Sequence, residues 1–146
     1  MANLTRHEKR EIVFQLLYEA EYHQDKTAGE IYSLAVSERA IPADSYIEKT
    51  FLGVRFVTPE LDEKIVSYAR NWKIDRMSTV ARSVLRLAVF ELTHTDTPPR
   101  VVINEAVEIT KTYDVAESAA FVNGILNNLA RESGYLKDDA SSVSDV

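Results

Sequence analysis

Apolar residues recur along this chain at intervals of three and four, with no strand-like alternation. That spacing puts apolar side chains on one face of a helix, so the pattern predicts an all-α protein. The first helix opens at Thr5-Arg6-His7-Glu8, a capping box, and Ile12, Val13, Leu16, Leu17 and Ala20 form its core stripe. A second capping box, Thr27 to Glu30, starts a helix carrying Ile31, Leu34 and Ala35 that ends before Pro42. A third runs from about Asp44 with Tyr46, Ile47, Phe51, Leu52 and Val54 inward. Thr58-Pro59-Glu60 reads as a cap, a proline at the first helical position and an acid in the first turn. Leu61, Ile65, Tyr68 and Ala69 give that fourth helix its apolar face, and Trp72 anchors a short connection to Arg76. The fifth helix, from about Ser78 to Thr93, holds VLRLAVFEL and is apolar around most of its circumference, which predicts the most buried helix. After a break at Thr95-Asp96-Thr97-Pro98-Pro99, INEAVEITKTY gives a sixth helix and ESAAFVNGILNNLAR a seventh, closed by Gly134. The expected fold is a single bundle of about seven helices in two lobes divided near Val57-Thr58-Pro59. Residues 1–136 form the helical domain, and the polar, acidic stretch 137–146 is expected to be disordered.

Composition narrows the function classes. The chain has no Cys, which excludes disulfides, thiolate zinc sites and a cysteine nucleophile. There is no signal-peptide pattern and no apolar run near the ~18 residues of a membrane span, so a soluble, cytoplasmic protein is expected. A net charge of −6 counts against nonspecific coating of nucleic acid but leaves room for a local basic face. Phosphate-cradling glycine loops are missing, and His7, His23 and His94 have no metal-ligand partner at helical spacing. Glu105 and Glu108 read as a solvated pair rather than an acid–base couple. No catalytic residue, metal or cofactor is expected, and the chain reads as a non-enzyme.

Two surface patterns remain. Arg6, Arg10, Phe14, Tyr18 and Tyr22 recur every four residues on the first helix, a ladder that begins basic and ends aromatic, with His7 and Lys9 near its start. Lys64, Arg70, Lys73, Arg76, Arg82 and Arg86 stand against the single acid Asp75 between positions 64 and 90. On spacing alone, solvated arginines and packed aromatics are favoured for the ladder. For the basic run, pairing with carboxylates elsewhere and a phosphate-binding face stay open.

VLRLAVFEL at 84–92, the proline break ending at Pro99, INEAVEITKTY at 103–113 and FVNGIL at 121–126 resemble, in order and spacing, the signature of the NusB family. FQLLYEAEY at 14–22 and WKIDR at 72–76 extend the likeness over roughly Thr5 to Arg131. The resemblance implies a non-enzymatic, seven-helix RNA-binding adaptor. Such a protein would bind the boxA element of ribosomal RNA leader transcripts together with NusE, within the RNA polymerase antitermination complex. It also implies that Arg6, Lys9, Arg10, Arg86, Tyr113, Glu117, Ser118 and Phe121 lie on the RNA path. Tyr18, with Phe14, Tyr22 and position 81, would lie on the NusE side. Of the remaining signature residues, Gly124 is expected at a close helix contact, and Asn104, Glu105 and Asn123 in structural roles. The chain departs from the family pattern where His7 and Glu8 interrupt the basic start, and where Ala81 and Asn127 replace acids. Two other readings are the RNA-binding extension of a ribosomal RNA methyltransferase, and a self-associating scaffold whose Phe14/Tyr18/Tyr22 face buries a homodimer.

Overall fold

The computed structural model describes residues 3–39, 41–69 and 73–135. Trp72, Arg70 and the stretch 137–146 lie outside them. Among the described residues there are seven α-helices and no strand: α1 (Arg6–Ala20), α2 (Ala28–Glu38), α3 (Ser45–Phe56), α4 (Thr58–Ser67), α5 (Thr79–His94), α6 (Pro99–Tyr113) and α7 (Ala116–Glu132). A 3-10 turn, Ile74–Arg76, precedes α5. The chain divides into two compact units at the Thr58–Pro59 bond.

In the first unit α1, α2 and α3 pack on one another. Both capping boxes form: Thr5 and Thr27 each accept from the backbone N–H three residues on, and Glu8 and Glu30 reach back. Each box satisfies donors that a helix start otherwise leaves without partners. Asp44 caps α3 by accepting from the Ile47 N–H at 3.0 Å. Val13, Leu16, Leu17, Ala20, Ile31, Ala35, Ile47, Phe51 and Val54 fill the core, while Leu34 is exposed.

The expected cap at Thr58 is not made. Thr58 is itself helical, and its hydroxyl donates to the Val54 carbonyl at 2.8 Å. Val57 alone separates α3 from α4. A threonine hydroxyl one turn after a helical carbonyl bonds backward as readily as it caps forward, and here the preceding helix supplies that carbonyl.

In the second unit α5, α6 and α7 pack pairwise. Ser78 caps α5 by accepting from the Ala81 N–H at 3.0 Å. Ten residues of α5 are buried, including Val84, Leu85, Leu87, Ala88 and Val89, which makes it the most buried helix, as its sequence implies. The Ser83 hydroxyl is buried on the same helix without a hydrogen-bond partner. Gly134 has φ +87°, the left-handed conformation that closes α7, and its N–H reaches the Arg131 carbonyl. Gly124 corrects its expectation. It is exposed, and a Cβ there would meet nothing within 4 Å, so no neighbouring helix approaches it.

Candidate RNA and partner surfaces

The α1 ladder does not stay on one face. An α-helix turns about 100° per residue, so a step of four overshoots a full turn by about 40°. The ladder therefore drifts across the helix. Arg6 is exposed, Arg10 and Phe14 are buried, and Tyr18 and Tyr22 emerge again at 37% and 62% exposure. Positions 10, 13, 14, 16, 17 and 20 form the buried stripe. Arg10, expected to be solvated, is 5% exposed because it shares the core side with Val13 and Phe14. Phe14, expected on a partner face, is at 2% a core residue.

At the basic end, the start of α3 meets the start of α1. The Arg6 guanidinium carbon sits 4.0 Å from the centre of the Tyr46 ring, and that of Arg10 lies 6.0 Å from it. Lys9 Nζ reaches Asp44 Oδ1 at 2.8 Å. The Lys9 ammonium holds the Asp44 carboxyl below its ordinary value, with the Ile47 N–H helping against partial burial. At the aromatic end, Tyr18 packs on Tyr22 with ring centres 5.5 Å apart and on Phe14 at 6.2 Å. The Tyr22 side chain, by hydrogen bond and then by charge, raises the Tyr18 phenol above its ordinary value.

The second unit gathers a separate set. Arg86 is 8% exposed and grips Asp62 of α4 with two bonds, Nε to Oδ1 at 2.7 Å and a guanidinium Nη to Oδ2 at 2.9 Å. Its charge is thus compensated by a carboxylate within the fold. Arg82 donates to the carbonyls of Ile74 and Met77 at 3.1 and 3.0 Å. Two members of the basic run are therefore engaged in structure, whereas Lys64, Lys73 and Arg76 are exposed.

Glu117, Ser118 and Phe121 come together around a groove of about 350 Å³ whose other lining residues are Arg76, Met77, Ser78 and Ala81. Ala81, expected on the partner side, is 2% exposed and shares this groove with three residues expected on the RNA path. The spacing of the sequence did not mark Arg76, Met77 or Ser78 as its neighbours, since a turn between helices brings them in. Ser78 also donates to Asp114 Oδ2 at 2.8 Å. Burial pushes the Asp114 carboxyl up, but the Val115 N–H and the Ser78 and Ser118 hydroxyls outweigh it and leave the group below its ordinary value. Tyr113 is exposed at the end of α6. Asn104 and Asn123 are exposed, and Asn127 folds back to donate to the Asn123 side chain at 3.0 Å. Among the described residues no cluster of His, Asp or Glu is placed to hold a metal, and no helix is long and apolar enough to cross a membrane.

The NusB family model matches residues 7–131. The chain is 38% identical over 127 residues to the transcription antitermination protein NusB of Staphylococcus carnosus, covering 86% of this chain and 99% of that protein. It is 36% identical over 129 residues to the protein of the same name from Staphylococcus aureus strain JH9, covering 88% and 100%. Its structure is similar to that of NusB from T. maritima, with TM-score 0.79, 33% identity and coverage of 90% and 94%. It is also similar to a chain in a crystal structure of the antitermination factors NusB and NusE in complex with double-stranded RNA, with TM-score 0.75, 28% identity and coverage of 88% and 99%. With a family match across most of its length and relatives above one-third identity, the chain belongs to the NusB family.

Proposed function

We propose that this chain is a transcription antitermination protein that binds boxA-type RNA together with NusE, as a cytoplasmic adaptor without catalytic activity. The observation that carries this reading is the exposed basic start of α1, with Arg6 at the surface and Lys9 beside it, in a chain whose relatives are antitermination proteins. In the NusB–NusE–RNA structure, a protein of the same fold is assembled with both partners. Arg6 and Lys9 contact phosphate, and Arg10 supports them from inside. Tyr113, Glu117, Ser118 and Phe121 belong to the RNA side, with Arg86 acting through its ion pair to Asp62. Tyr18 and Tyr22 form the exposed aromatic face for NusE, which Phe14 backs from the core.

A net charge of −6 disfavours tight nonspecific binding, so selectivity comes from few contacts and from the partner. A gel shift with single-stranded boxA RNA, a scrambled RNA and an RNA duplex, each with and without NusE, tests the proposal. The expected result is weak preference for boxA, tightened by NusE. Equal affinity for all three RNAs and no response to NusE would overturn it.

A further inference from the structure

Tyr46 reads in the sequence as an inward residue of the third helix, and nothing in the ladder on α1 points to it. In the structure it is half-buried, and its ring lies against the Arg6 guanidinium at 4.0 Å. Two residues earlier, Asp44 both caps α3 and holds Lys9. The start of α3 thus touches three basic residues in the first turn and a half of α1: Arg6 and Arg10 through a ring, Lys9 through a carboxylate.

We propose that Tyr46 is a positioning residue for RNA binding, whose ring holds the Arg6 guanidinium ready to receive a phosphate. This rests on the RNA-binding reading above. A guanidinium held over an aromatic ring by cation–π attraction keeps its N–H donors, whose planar fork matches phosphate oxygens. A long side chain held in this way has given up much of its rotamer freedom before RNA arrives, so less is lost on binding. The ring adds no charge and touches no phosphate, and its effect is transmitted through Arg6.

The test uses the full chain with NusE and a fluorescently labelled boxA RNA. Tyr46→Phe should bind as the parent does, because the ring remains. Tyr46→Leu keeps apolar bulk but removes the ring, and should weaken binding about two- to fivefold. In an Arg6→Ala background the same leucine should add nothing. The Arg6 Nε–H resonance should show an upfield ring-current shift that Tyr46→Leu abolishes, a readout independent of RNA. Should the leucine variant fail to fold, Arg6→Lys replaces the planar group by a compact ammonium and should lose a similar factor. Parent-like affinity of Tyr46→Leu or of Arg6→Lys overturns the inference, as does an equal loss from Tyr46→Leu with and without Arg6. If the parent protein with NusE binds no boxA RNA while the ring-current shift is present, the RNA-binding reading itself has failed, and the positioning role falls with it.

Discussion

Replacing Arg6 by alanine removes a side chain that lies at the surface on a ring, whereas replacing Arg10 removes one that is 5% exposed beside Val13 and Phe14. Exposed substitutions generally stay within about ±0.5 kcal/mol, and loss of a packed arginine stem costs contact as well as charge. Urea unfolding of the two single variants should therefore differ: Arg6→Ala close to the parent, Arg10→Ala destabilised by about 1–2 kcal/mol. Equal midpoints would place Arg10 in solvent. Gly124 offers the opposite sign. It is an exposed glycine inside α7 with open space where a Cβ would go. Gly124→Ala should raise stability by about 0.5–1 kcal/mol, read from the urea midpoint, because glycine inside a helix carries an entropic cost. A loss of stability would mean that a neighbour occupies that space.

At the scale of elements, periodicity and cap chemistry gave most helix boundaries. Thr5, Thr27, Asp44 and Ser78 cap the helices that their sequences announce, because a cap is a contact within four residues. Thr58 went the other way because its alternative partner, Val54, is also local, and short-range chemistry did not rank the two. The ladder on α1 was legible as a pattern but not as a surface, since its drift relative to the core depends on where the neighbouring helices lie. The Arg6–Tyr46 cation–π contact and the Arg86–Asp62 pair join different helices, so spacing along the chain held no sign of either.

Asp44 joins two elements, capping α3 and pairing with Lys9 of α1. Asparagine caps about as well as aspartate, so Asp44→Asn separates these roles. It should cost less than about 1 kcal/mol, the range of partly exposed ion pairs, while Asp44→Ala should cost about 1–2 kcal/mol through the lost cap. The folded carboxyl is held below its ordinary value, with Lys9 the largest cause. Its contribution to stability is therefore complete above the unfolded-state value of about 3.9 and is lost as pH falls through the lower folded value. Urea midpoints measured between pH 6 and pH 2, a window of ~four units that brackets the unfolded-state value, should fall less steeply for Asp44→Asn than for the parent. Identical slopes would show that the carboxylate is unperturbed.

At the scale of the whole molecule, the basic run between positions 64 and 90 shows how a charge count and a charged surface diverge. Arg86 is committed to a carboxylate and Arg82 to two backbone carbonyls. The Arg82 clamp has a consequence for local unfolding. The 3-10 turn it holds contributes no buried residue of its own, and Lys73 just before it and Arg76 at its end are exposed. Such a segment can open without the helices around it, and a protease samples that opening rather than global unfolding. Arg82→Met keeps a long apolar stem and removes the donors. Limited trypsin digestion should then cut faster after Lys73 or Arg76, while the thermal midpoint changes little. Cleavage at the parent rate would mean that the turn is closed by its own backbone. Arg82 would then be dispensable even as a latch against proteolysis.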